Sequence, residues 1–172
     1  MTLVTCKIPA GLAHPFFYPF GELTLDLDSF QVWNSDAAFA VFPYELLASN
    51  GSDGFKPWEN DRQALPDLFE KWNTNKLEAG QFFAERNVKK VERPMKEGLA
   101  IFISGLFWMN AQPVALSAWP ASLTEISFKP VNAAERLDFI LARPLLYHSY
   151  KQLSELMLEL EKQYYKKIAL QK

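Results

Sequence analysis

The apolar positions Leu146, Tyr150, Leu153, Met157, Leu160, Tyr164 and Ile168 step by fours and threes, the repeat of one face of an α-helix. On the same stretch Glu155, Glu159 and Glu161 precede Lys162, Lys166 and Lys167, the order that suits the helix dipole. A helix over Leu146 to Ala169 is therefore predicted. Upstream, Leu65, Leu68, Phe69 and Trp72 recur at similar spacing behind a capping Asp61, and Asn75 with Glu78 reads as a capping box ahead of Leu77, Phe82 and Phe83. Two short helices in tandem follow. Pro94 suits the first turn of a helix running to about Asn110, in which Leu99, Ile101, Phe102, Ile103, Leu106, Phe107 and Trp108 leave no polar face, so this helix is expected at the centre. Asn132 and Glu135 repeat the capping-box spacing before Leu137, Ile140 and Leu141, and Pro144 closes that segment.

The front of the chain lacks this period. Residues 1–58 hold Pro9, Pro15, Pro19, Pro43 and Pro57 among many aromatic rings, a pattern that disfavours long helices and predicts an extended arm wrapped over the rest. Phe16, Phe17, Tyr18 and Phe20 are expected to pack on the helical body, at roughly 1.5–3 kcal/mol for each ring fully buried. Leu23, Leu25 and Leu27 alternate with Thr24, Asp26 and Asp28 between Glu22 and Phe30, as in a half-buried strand, and no second clear strand stands beside it in the pattern. Asn50 to Gly54 is the strongest loop. The fold expected is mainly α: a single helical-bundle-like domain spanning 1–172, with about five helices in a body at 55–172 and an aromatic, Pro-rich N-terminal arm at 1–54.

Composition agrees and adds a compartment. The 172 residues are 49% hydrophobic and 15% aromatic, enough for one core without metal or cross-links. A single cysteine, Cys6, excludes an internal disulfide, and no Cys/His spacing suits structural zinc, so a reducing, cytoplasmic setting and no metal or cofactor are expected. Leu99 to Thr124 carries no Asp, Glu, Lys or Arg, but Asn110, Gln112, Pro113, Ser117 and Pro120 interrupt it. Its polar-poor part falls well short of the ~20 residues of a membrane helix, so no membrane partner is expected. With only Lys7 ahead of a Pro-rich stretch, the start does not read as a signal or transit peptide. The net charge of −2 hides an acidic front, residues 1–53, at −5.

Five cations, Arg86, Lys89, Lys90, Arg93 and Lys96, fall within 11 residues and form the one candidate anion-binding patch; a solvated linker or pairing with the acidic front are the competing readings. Trp58, in Lys56-Pro57-Trp58-Glu59, and Trp72 are candidate anchors for a partner, and Trp108 with Trp119 are the other notable aromatics; core burial is the default for all of them. Cys6 with His14 could pair as nucleophile and base, but nothing around them supplies a rigid turn or oxyanion donors. His148 has no metal-ligand spacing to another His or a carboxylate. Glycine-rich phosphate loops and the Gly-x-Ser-x-Gly elbow are absent, so no catalytic residue is assigned.

Ile8-Pro9, His14-Pro15-Phe16-Phe17, Pro57-Trp58-Glu59 and the charge-free helix through Phe107-Trp108 resemble the uncharacterised YpoC-like proteins of Gram-positive bacteria. The resemblance implies a cytoplasmic, predominantly helical domain with no established activity and carries over no catalytic or ligand residue. Three functions then compete. The first is a non-enzymatic cytoplasmic interaction or accessory protein with a protein partner. The second is nucleic-acid or phosphate binding through residues 86–96, and the third an enzyme whose site is assembled from dispersed residues, which a polar enclosed cavity with a perturbed titrating group would favour. A homodimer through the C-terminal helix is expected only if its apolar stripe is not buried internally.

Overall fold

The computed structural model describes residues 1–36, 41–117 and 121–171. Among them the protein is mainly α, 60% helical, with six helices and a small two-stranded sheet. In chain order these are β1 (Leu3–Lys7), β2 (Glu22–Asp26), α1 (Pro43–Ser49), α2 (Asp61–Ala84), α3 (Val88–Trp108), the single turn α4 (Ala121–Thr124), α5 (Ala133–Ala142) and α6 (Tyr147–Leu170).

α2, α3 and α6 form the body. Asn75 Nδ2 donates to Pro94 O at 3.1 Å while Leu65 lies against Gly105, so α2 and α3 run antiparallel. Gly98 faces Leu153 and Gly105 faces Leu160, which sets α6 parallel to α3. The two glycines are one heptad apart on the α3 face where both neighbours meet. A Cβ built on Gly98 would stand 2.6 Å from Trp72 Cζ3 and 3.2 Å from Leu153 Cδ2, so absence of a side chain there sets how closely the helices approach. The C-terminal stripe is used inside this body: Tyr150, Leu153, Met157, Leu160 and Tyr164 are all buried. The condition for a dimer through that stripe is thus not met.

Several local expectations are corrected. The two tandem helices are one continuous α2, with Pro66 tolerated inside it. The capping box does not form because Asn75 is interior, 4% exposed, and bonded across to α3. On this continuous helix Leu65, Leu68, Trp72, Asn75 and Ala79 mark the inner face, and Leu77 falls outside it, 78% exposed. Likewise Pro94 lies inside α3, which starts at Val88 with the Asn87 side chain accepting from Lys90 N. A real cap outranks a proline preference at that point. Asn132, at φ 56°, makes no side-chain cap on α5.

In the arm, β1 supplies the strand partner absent from the pattern. Leu3 to Lys7 pairs antiparallel with Glu22 to Asp26, Cys6 opposite Leu23, and β2 gives way to a 3-10 turn at Leu27–Phe30. Asn50 extends the edge of β1 by accepting from Lys7 N at 3.0 Å and donating to Lys7 O at 3.1 Å. The short helix α1, also outside the expectation, carries Tyr44, Leu46 and Leu47 into the core. Phe17, Phe30 and Phe42 are buried there, whereas Phe20 is 78% exposed, a correction to the view that every ring of the arm packs inward.

Candidate functional site

Where the arm meets α2 and α3, a crevice of about 390 Å³ is lined by Ser35, Asp36, Asp67, Glu70, Lys71, Thr74, Asn75, Glu78 and Arg93. The α2 members recur three or four apart and so share one helix face. Their charges are largely tied to one another: Lys71 Nζ lies 3.2 Å from Asp36, Arg93 pairs with Glu78 and with Glu97 at 3.2 Å, and Trp33 Nε1 donates to Asp67 Oδ2 at 2.7 Å. Burial raises the Glu97 carboxyl above its ordinary value, with Arg93 opposing that shift. Among the described residues no cluster of three or more His, Cys, Asp or Glu could hold a metal ion.

The group most enclosed is elsewhere. Glu45, on α1, is 4% exposed; its Oε2 accepts from Trp108 Nε1 at 2.7 Å and from Val114 N at 3.0 Å, while Oε1 has no partner. Burial pushes its carboxyl above the ordinary value, partly offset by those two donors. Nothing in the pattern marked Glu45, because a lone carboxylate in an aromatic segment carries no periodic signal. Glu45 is not among the residues lining the crevice, whereas the raised Glu97 borders it through its pair with Arg93.

The five cations are divided by the fold. The segment is no linker but the first turns of α3 together with the turn before it. Arg93 pairs with Glu78 and Glu97, and Lys96 stands 4.0 Å from Glu92 and 5.7 Å from the Phe16 ring centre. The carboxylates used belong to the body, so the competing reading of pairing with the acidic front does not hold. Arg86, Lys89 and Lys90 point outward at the α2–α3 reversal, Lys90 over the Phe82 ring at 5.7 Å. Arg86 holds φ at 55°, with Arg86 N bonded to Phe83 O and Asn87 N to Phe82 O, the left-handed helix stop usually occupied by glycine.

That reversal does not stand alone. The Phe83 ring lies 5.7 Å from Tyr147 and 5.2 Å from Tyr150, so the start of α6 sits at the same end of the body as the start of α3. Arg143, His148 and Lys151 are exposed there, beside Val88 at 62%, Tyr147 at 54% and Leu146 at 40% exposure. Among the described residues none of Arg86, Lys89, Arg143 and Lys151 forms an ion pair. The sequence spacing found the first half of this basic end and missed the second, which lies over fifty positions away and is brought close only by the helix packing.

The remaining candidates are placed as follows. Trp72 is 5% exposed and inside the core, so its ring is not presented to a partner; Trp58 is half-buried against the core, and Trp108 is 3% exposed. Trp119 lies outside the described residues. Cys6 is buried, with its thiol held above its ordinary value by burial, and His14 Nδ1 accepts from Phe16 N at 3.1 Å. No helix is long and apolar enough to cross a membrane among the described residues.

The sequence model of the YpoC-like protein family matches residues 62–172. The chain belongs to the YpoC-like family. Over 115 residues it is 36% identical to the uncharacterized protein YpoC of Bacillus subtilis strain 168, covering 66% of this chain and 70% of that protein. No solved structure matches it. The YpoC-like region takes in both halves of the basic end, all of α3 and α6, and α2 from its second residue on, while the arm stands before it.

Proposed function

We propose that this YpoC-like chain is a non-enzymatic accessory protein of the cytoplasm that acts by docking an anionic partner on the basic end of its helical body. The observation that carries this reading is the set of exposed, unpaired cations at the two chain reversals, Arg86 and Lys89 on one and Arg143 and Lys151 on the other. Cations not neutralised by neighbours keep a positive field that steers and orients an oppositely charged surface. Val88 and Tyr147 stand among them as exposed apolar and aromatic contacts, the residue types that anchor an interface once charge has brought it together. A photo-crosslinking residue placed at Val88 in native cells is expected to give a discrete adduct that is lost when Arg86→Glu and Lys89→Glu are added. Absence of an adduct, or an adduct indifferent to those charges, sinks the reading.

A further inference from the structure

The basic end alternates cations with rings. Lys90 lies over Phe82 at 5.7 Å, and Phe83, Tyr147 and Tyr150 form a cluster with centroid separations of 5.7, 5.2 and 5.8 Å. Tyr150 is buried and bonded to Lys76 O at 3.1 Å, which fixes the cluster from behind, while Tyr147 is 54% exposed. A held ring with an open side, at an end of the body that also exposes Arg86, Lys89, Arg143 and Lys151, is suited to a chain that offers a flat, unpaired π-face beside each negative charge. Single-stranded nucleic acid has this chemistry: its bases stack on aromatic side chains and its phosphates meet the cations. A duplex hides its base faces, and an acidic polypeptide has carboxylates but no base to stack.

We propose that the basic end binds single-stranded nucleic acid, with Arg86, Lys89, Arg143 and Lys151 on phosphates and Tyr147 under a base. This rests on the docking reading above and names its partner. It also separates the cations that bind from those that build: Arg93 and Lys96, engaged with Glu78, Glu97 and Glu92, hold the crevice and α3 rather than the ligand. The binding is sequence-tolerant and strongly salt-dependent, because the contacts are to phosphate and to a π-face common to all bases. With about four phosphates neutralised, the slope of log affinity on log salt is about −3. Arg86 gives a further handle. Its positive φ suits glycine better than arginine, so Arg86→Gly raises thermal stability while removing a phosphate contact.

The test uses the full chain and a fluorescently labelled 15-nucleotide oligothymidylate, read by anisotropy in dilute salt, with its duplex and polyglutamate as competitors. Expected are roughly ten-fold weaker binding for Tyr147→Ala, a greater loss for Arg86→Glu with Lys89→Glu, and no change for the exposed, remote Lys162→Glu. Arg86→Gly is expected to weaken binding several-fold with a higher Tm, a result that a misfolded variant cannot produce. No binding, binding indifferent to Tyr147, or competition by duplex or polyglutamate equal to that by the single strand overturns the proposal. If binding fails while the Val88 adduct forms and survives nuclease, the docking reading stands and this inference falls; loss of both removes both.

Discussion

Between α2 and α3 the chain brings together Leu65, Leu68, Trp72, Leu99 and Leu106, all buried, with Asn75 as a polar bridge. Between the arm and the body, where Tyr44, Leu46 and Leu47 enter the same core, directed bonds are added to the packing: Trp108 and Val114 donate to Glu45, and Trp33 donates to Asp67. Hydrophobic packing is non-directional and roughly proportional to area, so its loss is spread over the whole body. A buried polar attachment depends on individual atoms and on their state of protonation. Body and arm should therefore fail differently, the body cooperatively and the arm locally where a single buried bond is lost. The family match follows the same line, since it covers 62–172 and leaves the arm out.

The largest effect belongs to the body. Leu160 is fully buried and lies against Gly105, so Leu160→Ala is expected to cost about 2–5 kcal/mol. Denaturant unfolding should remain a single transition, with helical signal and arm fluorescence lost together. Separate transitions would show that the helices do not carry the arm. Next is Gly98→Ala, which puts a Cβ 2.6 Å from Trp72 Cζ3 and is expected to cost about 1–3 kcal/mol by overpacking. Adding Trp72→Leu should relieve that clash, so that the double variant is less destabilised than the sum of the singles. Additive costs would mean that the close approach at Gly98 does not limit the packing.

The two regions were also unequally legible. The α6 stripe could be read because its spacing and its burial are the same fact. In α2 the local signals at Asn75 and Glu78 pointed to a helix start, and burial of Asn75 against Pro94 overrode them. β1 was hidden because Leu3 to Lys7 is a short edge strand, mostly exposed, with only Cys6 buried. The α6 half of the basic end was hidden for a different reason: charges distant in sequence share a surface only through the tertiary fold.

A smaller, local effect is expected at the arm. Trp108→Phe removes the Nε1 donor to Glu45 Oε2, leaving that buried carboxylate with Val114 N alone on that oxygen. A cost of about 1–3 kcal/mol is expected from the poorly satisfied group. Hydrogen exchange should quicken at arm amides such as Cys6 and Leu25 while Leu68 and Leu153 keep their protection. Equal acceleration in both regions would erase the distinction between them.

The finest test changes one atom of the same contact. Glu45 has its carboxyl raised above the ordinary value of 4.5 by burial. The folded protein therefore holds a proton there that the unfolded chain has already released, and in that interval folding binds protons. By linkage, the stability this group contributes is present below the unfolded value and is lost as pH rises through the folded one. Glu45→Gln keeps an oxygen for Trp108 Nε1 and Val114 N and cannot ionise, so it removes this dependence. The variant's advantage over the parent in Tm should be smallest in mild acid and grow toward neutral pH, and the gain should appear as slower arm exchange. An advantage that does not vary with pH would mean that Oε1 reaches solvent and that the Glu45 contact does not set how the arm's attachment responds to pH.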